Sequence, residues 1–297
     1  MSARSASWPA VAPVWANGRL TSASEPVLLA GDEGFLLGLS VFDTVLLEEG
    51  HLYFLAEHLA RLRGGAEELG IPWPPPWDVA AAMRATAGAL DGRDAAVRVT
   101  LSRGVPGRGP TLVVTTRPLE VPRDPGVKIL VSSYRKLGGN PLEGVKSTNR
   151  LRNILAREEA VAAGAWEALL PNHDGDLSEC TTANIFCVAG GALLTPSEER
   201  GCLAGIIREK LREEFARAPL VAAGREVPLR AGRLEPADLR RASEVFLTNT
   251  TGRIVPVLEV LGLPDPPRGL PGAAGPVTQA IRLRLRAVEA ADRASVA

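Results

Sequence analysis

A mixed α/β or α+β fold in two domains is what these 297 residues predict, and three observations carry the prediction. Apolar residues recur at helical spacing in some stretches and form short β-type runs in others, in both halves of the chain. A proline- and glycine-bearing break, "LEVPRDPG" at 119–126, separates the halves. Length does the rest, because a chain of this size with 45% hydrophobic residues can bury two cores. The expected division is an N-terminal α/β domain over 1–120, beginning with a loose tail at 1–12, a linker at 121–126 and a C-terminal domain over 127–297.

In the first half, "YFLAEHLARLRGGAEELG" (53–70) sets Leu55, Leu59, Leu62, Ala66 and Leu69 on one helical stripe and leaves Arg61 off it. "IPWPPPWDVA" is a connection in which Asp78 can cap the next helix. "AAVRVTLSRG" and "TLVVTTRPL" read as strands flanking the turn "RGVPGRGP". In the second half, "VKILVSSYR" is a strand, followed by a loop that delivers Lys146. Ser147 and Thr148 are suitable caps for the helix beyond, with Leu151, Ile154 and Leu155 as its apolar face. Residues 166–196 read as three short strands, with turns at "NHDGD" and "AGG". "LAGIIREKLREEF" opens a helix at Gly205 and places Ile207, Leu211 and Phe215 on one face. "SEVFLTNTTGRIVPVLEV" is strand, polar turn and strand, and "GPVTQAIRLRLRAVEAADRA" closes the chain as a helix.

Bulk properties remove several classes of function. Acidic and basic residues balance at 34 each, and aromatic content is 4%, which gives no electrostatic or stacking basis for a nucleic-acid partner. No apolar run approaches the roughly 20 residues that span a bilayer, and the N-terminus lacks a leader pattern. Cys180, Cys187 and Cys202 are odd in number and without C-x-x-C spacing, so a reducing cytoplasm is the expected compartment. His51, His58 and His173 have no zinc spacing, so no metal is expected. G-x-S-x-G, the P-loop and repeats are also missing.

The basic residues carry a sharper signal. Lys128, Lys136, Lys146 and Lys210 are the lysines, and the other 30 basic residues are arginines. Arginine fails where a cation must lose its proton at neutral pH, whereas lysine can serve as base or Schiff-base nucleophile. An aldehyde cofactor with a phosphate tail needs such an amine, a carboxylate for its ring nitrogen and an anion site. Lys146 is the candidate amine and Glu179 the candidate carboxylate. The helix entrance at Gly205, Ile206 and Ile207 is the candidate anion site, with Arg61, Thr250 and Thr251 completing it. Taken singly, each of these residues is as well read as a surface charge, a turn or a cap.

Together and in this order they resemble the class IV aminotransferases, pyridoxal-phosphate enzymes of fold type IV, the fold of D-amino-acid aminotransferases. The resemblance runs from about Trp15 to the last helix. Its stations are "SVFDTV" (40–45), "EHLARL" (57–62), "SRGVPGRG" (102–109), "VKSTNRL" (145–151), "SECTTANIF" (178–186), "LLTP" (193–196), "LAGIIRE" (203–209) and "LTNTTGRIVPV" (247–257). It implies Schiff-base Lys146, ring-nitrogen partner Glu179, and phosphate ligands Arg61, Ile206, Ile207 and Thr250. It further implies a small-molecule substrate and a homodimer, with active sites near the domain junction and the subunit interface.

Three branches share this pattern: branched-chain aminotransferases, D-amino-acid aminotransferases and 4-amino-4-deoxychorismate lyases. The lyase branch is the nearest resemblance, through "SRGVPGRG", "KSTNRL" and Asn249 in "LTNTTG". The D-amino-acid turn P-R-x-H is matched by Arg108 but has Pro110 at its histidine position. The resemblance then implies conversion of 4-amino-4-deoxychorismate to 4-aminobenzoate and pyruvate, a step toward folate. Phe42, Arg108, Arg150 and Asn249 would contact substrate, and Thr44 or Asn249 would orient or protonate the leaving group. The alternative is amino-group transfer from D-amino acids, branched-chain amino acids or (R)-amines to a keto acid.

Overall fold

The computed structural model describes residues 12–73, 75–122 and 124–295, so the expected tail at 1–12 lies outside the described residues except for Ala12. The chain divides into two compact units. One takes residues up to Glu120 together with Val145–Asn149, and the other takes Val121–Gly144 and Arg150 onward. Residues 145–149 belong to the expected second domain in sequence, yet they cluster with the first unit.

In the first unit the strands are β1 (Pro13–Ala16), β2 (Arg19–Ser22), β3 (Ser40–Glu48), β4 (His51–Leu52), β5 (Ala95–Val105) and β6 (Gly109–Arg117). They form one antiparallel sheet in the order β2-β1-β6-β5-β3-β4. Alternation along β3 and β5 sends Val41, Val45, Val97, Val99 and Leu101 into a core. Two helices cover it, α2 (Leu55–Glu68), which follows the short α1 (Glu33–Leu37), and α3 (Val79–Gly88). Leu62 and Ala66 of α2 and Ala82 and Met83 of α3 are buried there, as the stripe at 55–69 predicts. Asp78 caps α3 by accepting from the Ala81 N–H at 3.0 Å. At the β5–β6 turn Gly104 has φ +78°, and a Cβ there would strike the Gly109 carbonyl, so only glycine fits.

The segment 145–149 is laid along the start of β3. The Phe42 N–H donates to the Lys146 carbonyl at 2.9 Å, and the Thr148 N–H to the Ser40 carbonyl at 3.0 Å. Val41 and Ser147 form a bridge, Ser40 and Thr148 share a hydroxyl hydrogen bond, and Asn149 Nδ2 donates to the Gly38 carbonyl. Ser147 and Thr148 are thus used in strand-like pairing, which corrects their expected role as helix caps.

The second unit contains β7 (Val127–Val131), β8 (Glu167–Pro171), β9 (Leu177–Cys180), β10 (Asn184–Ala189), β11 (Ala192–Pro196), the β12 (Leu220–Ala222) and β13 (Arg225–Val227) hairpin, β14 (Leu229–Gly232), β15 (Glu244–Asn249) and β16 (Arg253–Leu261). Eight of them form a sheet in the order β14-β11-β10-β15-β16-β7-β8-β9, with parallel pairing at β11–β14, β16–β7 and β7–β8. Residues 166–196 hold four strands rather than the expected three, because the chain breaks pairing at 181–183. The helices are α4 (Leu151–Ala162), α5 (Ile206–Arg217), α6 (Pro236–Arg240) and α7 (Pro276–Ala294). The buried Glu244 carboxylate accepts from the Val277 and Thr278 amides at 2.9 and 2.8 Å, which fixes the start of α7 to β15.

The expected apolar face of α4 is also corrected. Leu151 and Ile154 are 68% and 53% exposed, and the buried face is Asn153, Ala156 and Ala160. The two alanines cluster with Ala168 and Leu170 of β8, where small side chains let the helix lie close to the sheet.

Candidate active site

In the first unit, register places Phe42 of β3 opposite Thr100 of β5, and Thr44 opposite Arg98. Directly paired residues share a sheet face, so these four side chains emerge together, on the side away from the valine core. The Arg98 guanidinium lies 3.7 Å from the Phe42 ring centroid, and Lys146 Nζ lies 4.9 Å from the same centroid. An amine and a guanidinium thus attend one aromatic ring, with half-buried Thr44 beside it. No motif singles out Arg98, although an arginine between two valines that prove buried is a legible sign of a strand with a polar face.

On the core side of the same strand Asp43 is fully buried. Arg61, 14% exposed, reaches it from α2 with Nε and a terminal nitrogen, each 2.8 Å from a carboxylate oxygen. His58 Nδ1 lies 2.8 Å from Asp43 Oδ1. Burial alone would raise the Asp43 carboxyl, but Arg61 and His58 outweigh it and hold the group well below the ordinary carboxylate range. The guanidinium is fixed in orientation by these two bonds.

In the second unit, Glu179 on β9 is 6% exposed. Its Oε2 accepts from the Leu203 N–H at 2.9 Å and lies 3.4 Å from Asn184 Nδ2. Asn184 Nδ2 also donates to the Leu203 carbonyl at 2.8 Å, which ties the carboxylate to the entrance of α5. Gly205 is the N-cap of that helix and offers no side-chain cap, and a Cβ on it would collide with Asn184 Oδ1. Ile206 and Ile207 follow, buried, so the first amides of a 12-residue helix stand without a side-chain acceptor of their own. A buried carboxylate joined through one asparagine to an uncapped helix start fits a cationic ring nitrogen and a phosphate.

The remaining predicted residues have other surroundings. Asn249 Oδ1 accepts from the Gly252 N–H at 2.6 Å and lies 3.5 Å from Thr251 Oγ1, so it organises the β15–β16 turn that carries half-buried Thr250. Arg150, at the N-cap of α4, donates to the Thr181 carbonyl. Burial pushes its guanidinium down from the usual value, against the opposing pull of Glu179 and Glu167. Arg108 lies in the exposed β5–β6 turn. The unforeseen residue of this unit is Lys136, 2% exposed, whose Nζ bonds Glu179 Oε1 and lies 3.3 Å from Glu143. The scarcity of lysine that singled out Lys146 applied equally to Lys136. Among the described residues no cluster of potential ligands suits a metal ion, and no helix is long and apolar enough to cross a membrane.

The order of these motifs on a mixed fold of this kind defines an enzyme class, and comparison with known proteins gives its family. Residues 40–260 match the amino-transferase class IV model, and the chain belongs to that family, whose members are pyridoxal-phosphate-dependent enzymes. A Methanocaldococcus jannaschii protein inferred to be a branched-chain-amino-acid aminotransferase is 32% identical over 84% of this chain and 88% of its own length. The D-alanine aminotransferase of Bacillus licheniformis is 27% identical over 91% and 94%, and the aminodeoxychorismate lyase of Bacillus subtilis 28% over 83% and 86%. The solved structure of the branched-chain amino acid aminotransferase of Escherichia coli shares the fold with a TM-score of 0.79, at 23% identity over 94% of each chain.

Proposed function

We propose that the protein is a pyridoxal-phosphate-dependent aminotransferase acting on a carboxylate-bearing primary amine. The observation that carries the reading is the Lys146–Phe42–Arg98 arrangement, an amine 4.9 Å and a guanidinium 3.7 Å from one ring centroid. In this reading Lys146 is the covalent attachment point and Glu179 the partner of the ring nitrogen. Arg61, the amides of Ile206 and Ile207 at the Gly205 helix start, Thr250 and Thr251 hold the phosphate. Pyridoxal phosphate, when bound, supplies an electron sink for the carbon that bears the substrate nitrogen. Once the substrate amine has displaced it, the freed Lys146 Nζ would take the proton from that carbon, a duty open to an amine and closed to a guanidinium. Arg98 receives the substrate carboxylate, with Phe42 as the apolar floor and Thr44 at its edge.

A second reading, the aminodeoxychorismate lyase, is favoured by "KSTNRL" and by Arg108 in its open turn. It gives Lys146 and Glu179 the same duties and assigns carboxylates to Arg108 and Arg150. Its use of Asn249 would fall to Nδ2, since Oδ1 already accepts from the Gly252 N–H. Product identity separates the two. The aminotransferase reading expects keto-acid-dependent amino transfer from D-alanine or L-leucine, and none from (R)-1-phenylethylamine, which has no carboxylate. Release of 4-aminobenzoate and pyruvate from 4-amino-4-deoxychorismate, with no transfer, would establish the lyase instead.

A homodimer belongs to the same proposal. It is supported by α1, whose Phe35, Leu36 and Leu37 are all exposed apolar side chains on one short helix.

A further inference from the structure

Lys136 is buried in the second unit with a carboxylate on either side. Its Nζ bonds Glu179 Oε1 and lies 3.3 Å from Glu143 Oε2. Glu143 is itself held from behind, accepting from Arg152 at 2.5 Å and from the Leu137 N–H at 3.1 Å. Lys136 and Arg152 thus share these two carboxylates, and the Arg150 guanidinium also feels both of them. A buried ammonium is strongly disfavoured unless it is paired, so the two carboxylates are what keep it there. The residue type also matters. A compact ammonium with three donors can serve two carboxylates approaching from different sides, whereas a planar guanidinium fork suits one carboxylate edge-on. In a chain that otherwise uses arginine for 30 of its 34 basic residues, that difference accounts for a lysine at 136.

The bonds to Glu179 divide by oxygen. Oε2 takes the neutral donors, Leu203 N–H and Asn184 Nδ2, while Oε1 takes the charged one. An ionised carboxylate has about four acceptor sites, so Glu179 keeps capacity for a further donor while Lys136 is in place. Resting on the proposed role of Glu179, we infer that Lys136 is a positioning residue that aims and charge-balances the Glu179 carboxylate toward the cofactor ring. Its position, clamped between Glu143 and Glu179, then sets how strongly the ring is held and where the bound cofactor absorbs.

The test is a double-mutant cycle read by cofactor affinity and visible absorption. Apoprotein is reconstituted with pyridoxal phosphate as wild type, Lys136→Met, Glu179→Gln and the double variant. Lys136→Met is expected to weaken cofactor binding about tenfold and to shift the visible maximum. In the Glu179→Gln background the same substitution is expected to change affinity less than about threefold, because its partner charge is gone. An equal loss in both backgrounds, or none in either, would overturn the inference. Should Lys136→Met not fold, Glu143→Gln is used. It hands the ammonium to Glu179 alone, so the visible maximum is expected to move, and an unmoved maximum counts against the inference. Wild-type protein that takes up no cofactor defeats the proposed function itself, whereas cofactor uptake with an unchanged Lys136→Met variant defeats only the role of Lys136.

Discussion

At the scale of single residues, the chemistry turns on which charges are fixed before anything binds. Asp43 is the clearest case. Its folded carboxyl lies well below the ordinary 3.8, so its pairing adds stability that is complete above about pH 4 and drains away as pH falls. Asp43→Asn is expected to cost about 3–5 kcal/mol at pH 7, since it leaves Arg61 and His58 without their buried partner. The gap between variant and wild type in urea denaturation should shrink below pH 4, and a gap unchanged down to pH 2 would refute the assignment. Glu179→Gln makes a different demand. The amide keeps much of the shape but cannot balance a ring cation, so the variant should still take up cofactor and lose most turnover in steady-state assays. Near-normal turnover would remove Glu179 from the ring.

At the scale of elements, the proposed phosphate anchoring is shared among α2, which carries Arg61, the start of α5 and the β15–β16 turn. Loss of one contributor should therefore weaken binding without abolishing it. For Arg61→Ala the expected cost is roughly 1.5–3 kcal/mol, or one to two decades in cofactor dissociation constant by fluorescence titration. Unchanged affinity would give that arginine another task. Most elements were legible because local rules determined them, namely the stripe of α2, the Asp78 cap and the glycine entrance of α5. The start of α4 was not legible. Ser147 and Thr148 are good caps by local chemistry, but β3 claims them through long-range pairing that adjacent residues do not announce. The same limit hid Lys136, because its partner Glu179 is distant in sequence, although Glu143 lies on the turn that follows it. Arg98 was hidden less completely, since its position between two core valines could have been read from alternation alone.

At the scale of the whole molecule, family membership makes the protein a pyridoxal-phosphate-dependent enzyme, while the proposed branch rests on the side chains around Lys146. If Arg98 receives the substrate carboxylate, Arg98→Ala should raise KM for the amino donor by tenfold or more, while cofactor affinity stays within about twofold. An equal loss of cofactor affinity would make Arg98 part of the cofactor site. The exposed apolar residues of α1 bear on assembly. Sedimentation should give a dimer for the wild type and a shift toward monomer for Leu36→Asp, whereas a monomeric wild type would contradict the dimer.

The most direct test of the central claim is to locate the cofactor's covalent bond. Protein loaded with pyridoxal phosphate is reduced with borohydride and digested, and the modified peptide is identified by mass spectrometry. Lys146 should carry the label, and Lys146→Arg should carry none and be inactive, because the charge remains but the deprotonatable amine is gone. Label on Lys136, the buried amine already bonded to Glu179, would contradict the account and move the reactive centre to that lysine.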